Sequence, residues 1–452
     1  MKHFMRPGLA IALLAAAALV SSAHAGVRRL ENGLTVLLEP DSEATAVDVA
    51  VWYRAGSTTE AAGQSGLTQL FGRLMYQGSS HFGPGEHARL LQADGGVINA
   101  VTHPDYTCFY QTVPPEDLDL ALELEADRMA SLRIGKESLE AERRAAIEDR
   151  HRRVDPSALA RGLERLNALA FAGHPYSRPV IGVGADLERV TLADAMAYYR
   201  ARFSPNNAVL TVVGSFDPVP TLAAIRRRFG PIPRRSLPPG ARSALRPQAG
   251  ERRGSFTANA QGPILLVGWR GPGDAQPDNV SLELLASILG GGASARLGRT
   301  LVGGTSPFLD ARGDFDRRKE ASLIYIAAAL RPGADTASAE QALVGAVESL
   351  ATTPIPAEEL DRGKRQVQSA LLFSLETVRG EAQAIGTAQL MDGDYRATEA
   401  RLARLRQLTP EDLLAAAARV LKPATRSLVW VMPAGADSSA ARPGSSGAGE
   451  RR

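Results

Sequence analysis

The chain has 452 residues, with 52 lysines and arginines against 49 aspartates and glutamates, and a formal net charge of +3. That near balance gives no electrostatic footprint for nucleic acid, so proteins or peptides are the expected partners. The single cysteine, Cys108, rules out an internal disulfide, and stability must come from packing.

The first 25 residues hold two early cations, Lys2 and Arg6, an apolar run over 9–20, and Ala23-His24-Ala25, the small-x-small pattern of a signal-peptidase site. They read as a signal peptide (1–25) on an exported protein, periplasmic in a cell with two membranes; the competing reading is an N-terminal anchor. Removing Lys2 and Arg6 lowers the charge from +3 to +1 and leaves 427 residues, enough for two domains of roughly 200 each. No later segment approaches the roughly 20 apolar residues of a membrane helix.

Strand-like runs at 34–39 and 47–54 open the first half, and a helix follows Gly66-Leu67. The stretch from His81 to His87 contains Pro84 and Gly85, which break any helix that would align the two histidines, so both are read as surface loop residues. A strand is expected from around Asn99-Ala100 to Tyr110, with Cys108 a buried, inert thiol and Tyr106, Phe109 and Tyr110 packing in the sheet. Helix 118–132 carries Leu118, Leu122, Met129 and Leu132 at helical spacing, a core stripe. Helix 191–203, the turn Pro205-Asn206-Asn207 and a strand at 208–214 close this half. His103 and His151 stand alone in sequence and are read as polar surface residues.

The stretch 231–254, rich in proline and arginine, reads as a linker. The second half opens with a strand at 264–270 and a helix at 279–289, and closes with helix 409–421, Lys422-Pro423 and a strand at 427–432. Thr191 and Thr409 are N-caps, followed by Asp194 and by Glu411-Asp412 at the positive helix end, and Pro410 suits the first helical position. Matching endings predict a duplication: an α+β fold of two copies of one unit, at 26–230 and 255–433, with a disordered tail at 434–452.

Several ordered words carry a resemblance. They are Asn32-Gly33-Leu34-Thr35-Val36, Val51-Trp52-Tyr53-Arg54-Ala55-Gly56-Ser57, Gly66-Leu67, Asp94-Gly95-Gly96, Asn99-Ala100, Asp105-Tyr106-Thr107 and Leu122-Glu123-Leu124-Glu125-Ala126-Asp127-Arg128-Met129. His174-Pro175-Tyr176, Ser204-Pro205-Asn206-Asn207-Ala208, Val213-Gly214, Leu289-Gly290-Gly291-Gly292 and Ser294-Ala295-Arg296-Leu297 continue the series. In this order and spacing the chain resembles the pitrilysin/insulinase family of zinc metallopeptidases, in particular its half-length members related to mitochondrial processing peptidase. The resemblance implies two metallopeptidase-like α/β sandwich domains, each an antiparallel-rich sheet with helices packed on it.

Catalysis in that family rests on H-x-x-E-H on the helix after the Gly-Leu pair. Two histidines four apart share a helical face and reach one zinc ion, the glutamate is general base, and a later glutamate is the third ligand. The family pattern puts Gln69 and Arg73 at the histidines, Gly72 at the general base and, through Glu142-Arg143, Asp149 at the third ligand. All four have changed. Gly72 holds no proton, and Arg73 sets a permanent cation where a dication would bind; an ion pair between Arg73 and Asp149 is one way of filling the former cavity. His174 falls on a family position that is not a ligand, and no Ser/His/Asp or Cys/His motif is visible.

By resemblance Asn99, Ala100 and Thr107 lie where an extended substrate adds as a further strand. Half-length members work as pairs, often with one subunit bearing the zinc and the other not. The expectation is therefore a chain that is no enzyme on its own and holds no cofactor, the non-catalytic partner of a zinc-bearing homologue in an exported peptide-degrading or processing metallopeptidase. The family's substrate-facing Arg/Tyr pair has no clear counterpart after Arg296, with Phe308 the nearest aromatic. A structural or peptide-binding protein unrelated to proteolysis is the alternative; an active metallopeptidase with an unrecognised site is a third.

Overall fold

Among the residues described by a computed structural model, 26–238, 245–292 and 294–434, the strand-forming runs build two separate sheets. The leader, the linker residues 239–244 and the tail after Ala434 lie outside the described residues. The first sheet holds β1 (Gly26–Arg29), β2 (Thr35–Pro40), β3 (Val47–Tyr53), β4 (Val97–Thr102), β5 (Thr107–Val113) and β6 (Ala208–Gly214), in the order β1-β2-β6-β3-β5-β4. The second holds β7 (Arg252–Ala258), β8 (Ile264–Arg270), β9 (Phe308–Asp316), β10 (Leu323–Leu330) and β11 (Arg426–Pro433), in the order β7-β11-β8-β10-β9. In each sheet one pair is parallel, β2 with β6 and β7 with β11, and every other pair is antiparallel. Without β1 the two sheets match strand for strand, the topological mark of the duplication.

The helices of the first sequence half are α1 (Leu67–Leu74), α2 (Glu86–Ala93), α3 (Leu118–Ser131), α4 (Lys136–Arg153), α5 (Ala158–Ala170), α6 (Gly184–Arg189), α7 (Leu192–Arg202) and α8 (Pro218–Phe229). Those of the second are α9 (Asp278–Gly290), α10 (Arg296–Leu301), α11 (Thr336–Glu348), α12 (Ala357–Ser374), α13 (Val378–Met391), α14 (Ala397–Gln407) and α15 (Pro410–Val420). The repeated endings are α7–β6 and α15–β11. Thr191 and Thr409 each close a capping box, with Asp194 and Asp412 returning a bond to the cap N–H.

The units do not follow the halves of the sequence. One comprises described residues of Met1–Ala145, Val180–Ala241 and Leu371–Ala400, the other Ala146–Pro179, Arg242–Ala370 and Arg401–Arg452. The expected domains, 26–230 and 255–433, thus differ from the compact units because two helices cross over. α13, from the second half, packs on β3 and β6, whereas α5, from the first, packs on β8 and β11. Leu390 and Met391 of α13 join Trp52, Cys108, Ala50 and Val209 in one apolar cluster; Leu166 and Ala170 of α5 join Leu266, Val429 and Val431 in another.

Each crossing helix approaches its sheet through a glycine. A Cβ on Gly386 would stand 2.3 Å from Trp52 Nε1, and one on Gly162 would stand 2.5 Å from Leu266 Cδ1. The linker is also shorter than the expected 231–254, because β7 starts at Arg252, opposite Ser427 on β11.

Candidate functional site

α1 starts where Gly66, at φ 95°, turns the chain. The carboxylate of buried Glu60 accepts from Gly66 N at 3.1 Å and Thr68 N at 2.8 Å, supplying acceptors that the first turn of a helix lacks. Leu67, Thr68, Leu70, Phe71 and Leu74 are buried, and Phe71 stacks on Phe203 with centroids 4.8 Å apart. The helix therefore keeps Gln69, Gly72 and Arg73 on its uncovered side.

That side lies beside β4. A Cβ at Gly72 would stand 3.8 Å from Ala100 Cβ, with nothing nearer, and Tyr76, just past the helix, donates its hydroxyl to Asn99 O at 3.3 Å. Tyr76 is held from behind: the Arg128 guanidinium lies 5.0 Å from its ring centroid and 4.6 Å from that of Phe109, ion-paired to Glu125, with both charged groups buried. Burial also pushes the Tyr76 hydroxyl above its ordinary pKa.

Arg73 is 41% exposed and stands 3.7 Å from Glu142 Oε2, while Gln77 Nε2 donates to Glu142 Oε1 at 2.6 Å. Asp149 is ion-paired to Arg152 on its own helix. Gln69 is exposed. Among the described residues no group of three or more His, Cys, Asp or Glu is placed to hold a metal ion.

Among the described residues β4 is the outer strand of its sheet, free along one edge. It carries no charge, and Val97 and Val101 are 60% and 42% exposed. The strand expected from Asn99 to Tyr110 is in fact a hairpin of β4 and β5, turned at His103 to Tyr106, where His103 N donates to Tyr106 O at 2.7 Å. Pro104-Asp105 was the turn signal in the sequence. Asn99 and Ala100 therefore sit on the open edge, but Thr107 does not. It lies on β5, paired on both sides, fully buried, with its hydroxyl donating to Ala55 O at 2.7 Å.

The histidines fall apart in space. His81 is exposed and bonds Asp127. His87, contrary to the surface-loop expectation, is buried on α2, where it bonds Gln111 at 2.9 Å; burial, helped by the nearby Arg128 charge, lowers its pKa to about 3. His103 is half-buried and stacks on Tyr106 rather than standing at the surface alone. His151 is exposed against Asp155, and His174 is buried with Nε2 3.1 Å from Glu320. Cys108 is buried, and burial pushes its thiol pKa up. Phe308 lies in the second unit's core and offers no ring to a substrate.

Two family models match this chain. One described as Insulinase (Peptidase family M16) covers residues 35–184, and one described as Peptidase M16 inactive domain covers residues 189–367. The chain belongs to peptidase family M16. The inactive-domain description attaches to the second match, whereas α1 lies in the first. An uncharacterized zinc protease of Mycobacterium leprae is 29% identical over 88% of this chain and 90% of its own length. Among solved structures, a protease from Helicobacter pylori matches with a TM-score of 0.86 at 24% identity, covering 90% of this chain and 99% of that one. A peptidase M16 inactive domain from Pseudomonas fluorescens matches with a TM-score of 0.82 at 16% identity, over 90% and 98%. At these identities the structures establish the M16 fold.

The zinc that the family implies does not fit this α1. A neutral amide, a glycine and a guanidinium stand where the family pattern would set the ligands and the base, and the guanidinium already faces Glu142. A guanidinium at a ligand position repels each unit of a dication's charge by about 4 kcal/mol at 4 Å even at an effective dielectric of 20, about 8 kcal/mol in all.

Proposed function

We propose that this chain is a non-catalytic M16 homologue that pairs with a zinc-bearing homologue in an exported peptidase and contributes a peptide-pairing edge. The observation that carries the reading is Arg73, a fixed cation at the second ligand position of α1, 3.7 Å from Glu142. Gly72 removes the general base and Gln69 the first ligand, while β4 keeps an uncharged open edge beside them. Export is read from the leader at 1–25; no helix among the described residues is long and apolar enough to cross a membrane.

The test is metal content and peptide cleavage, measured in one sample of the purified mature chain alone and again after co-expression with a homologue that bears H-x-x-E-H. Alone, less than about a tenth of a zinc per chain and no cleavage are expected. Together, a co-purifying pair with chelator-sensitive cleavage is expected. Near-stoichiometric zinc with cleavage by the chain alone would overturn the reading. Co-expression without association would favour a structural or peptide-binding protein outside proteolysis.

A further inference from the structure

The open edge of β4 is not bare. In an antiparallel pair, hydrogen-bonded and non-bonded residue pairs alternate, and the His103–Tyr106 bond at the turn sets the phase. The register Val101↔Cys108, Asn99↔Tyr110 and Val97↔Thr112 then takes the bonded positions. Ile98, Ala100 and Thr102 turn their N–H and C=O groups towards the free edge, where an added strand would bond. The central one of these donors is occupied: Ala100 N–H is donated to the side-chain Oδ1 of Asn99 at 2.8 Å.

The second sheet repeats the device. β9 is likewise an outer strand, and its Phe315 N–H is donated to Oδ1 of the preceding Asp314 at 2.8 Å. There the other carboxylate oxygen also accepts from the Tyr325 hydroxyl at 3.0 Å, which anchors the cap, and Asp310, Arg312 and Asp316 add charge along the strand. β4 has no charged residue, and its cap is a neutral amide on an exposed side chain. One edge is shut and the other is closed by a single rotatable group. Short polar side chains compete for neighbouring backbone groups in this manner, and exposed edges need such protection against unwanted pairing.

We propose that Asn99 is a releasable cap on the β4 edge, which an extended peptide displaces in order to pair with Ala100. The inference rests on the peptide-pairing reading above. The cap trades one hydrogen bond for another, so it costs the incoming strand part of its affinity and selects for peptides that bond along the whole strand. Asn99 is a positioning residue, acting through the Ala100 amide.

The test uses the mature full chain, Asn99→Ala and Asn99→Asp, with Ala100→Pro, which removes the edge-facing N–H itself, as an edge-blocked control. Two readouts are taken: amide hydrogen exchange at Ala100, and binding of a fluorescein-labelled extended peptide alternating Val and Thr. Exchange at Ala100 should quicken in Asn99→Ala, and the peptide should bind that variant about threefold to tenfold more tightly than wild type, the worth of one net hydrogen bond. Asn99→Asp, a charged and stronger acceptor, should bind it more weakly. Unchanged exchange at Ala100, or weaker binding by Asn99→Ala, would overturn the cap and leave edge pairing standing. Wild type and Asn99→Ala no different from Ala100→Pro in binding would instead overturn the edge-pairing reading, and the displacement step with it.

Discussion

Two buried side chains with opposite pH dependence are masked in the intact chain. His87 is held neutral, its pKa lowered to about 3 by burial and then by Arg128. Because the folded value lies below the unfolded one of about 6.5, its contribution is present above pH 6.5 and falls away as pH drops towards 3, by about 2 kcal/mol at pH 5. Asp48 runs the other way. Burial first, against the pull of Arg379 and Thr112, raises its carboxyl to about 6; the folded protein therefore gains stability as pH falls from above 6 towards 4, by about 1 kcal/mol at pH 5. Wild type should thus lose only about 1 kcal/mol from this pair between pH 7 and pH 5 in urea unfolding. Asp48→Asn should steepen that loss and His87→Gln should reverse its sign. At the zinc position, Arg73→His alone should leave metal content at the wild-type level, since Gln69 and Gly72 remain. The triple variant Gln69→His, Gly72→Glu, Arg73→His should raise zinc uptake, read by elemental analysis, because two imidazoles four residues apart then share the open face of α1. Gln69, Gly72 and Arg73 could be placed on one helix from the sequence because Gly66-Leu67 anchors it, and the structure sets all three on its uncovered side. Tyr76 could not, since its bond to Asn99 O depends on where β4 lies.

For the elements, the crossing helices give a comparison in which two effects compete. Replacing a helical glycine with alanine gains up to about 1 kcal/mol in propensity, whereas overpacking a dense core costs about 1–3 kcal/mol. At Gly386 the new methyl would strike the indole of Trp52, fully buried and bonded through Nε1 to Thr211 at 3.2 Å; strain should win, with a net loss of about 2 kcal/mol in urea unfolding. At Gly162 it would meet the end of the Leu266 side chain, which can rotate aside, and the net loss should stay within about 1 kcal/mol. The elements themselves could be read from the sequence: β6 and β8 have the expected bounds, and α7 and α15 start at the expected caps. The hairpin reads in the sequence as one strand because apolar residues run on both sides of a short turn. Thr107 therefore lies one strand further in than that reading expects.

At the scale of the molecule, nothing in a local pattern says which sheet an amphipathic helix will cover, so the crossing of α5 and α13 was not legible from the sequence even though the duplication was. The crossing makes Cys108 a reporter. It lies in the cluster that α13 completes through Leu390 and Met391, and in the intact chain its thiol should resist a disulfide reagent. Deleting residues 371–400 should open it to stoichiometric reaction; continued protection would mean that α13 is not its cover. The same arrangement bears on how the polypeptide comes apart. A protease that severs the connection between α8 and β7 would break the covalent link between the sequence halves, yet the N-terminal fragment would still hold α5 against β8 and β11, and the C-terminal fragment would still hold α13 against β3 and β6. The nicked protein should elute as a single particle and divide into two bands only in denaturant, like a clasp whose hooks outlast its thread.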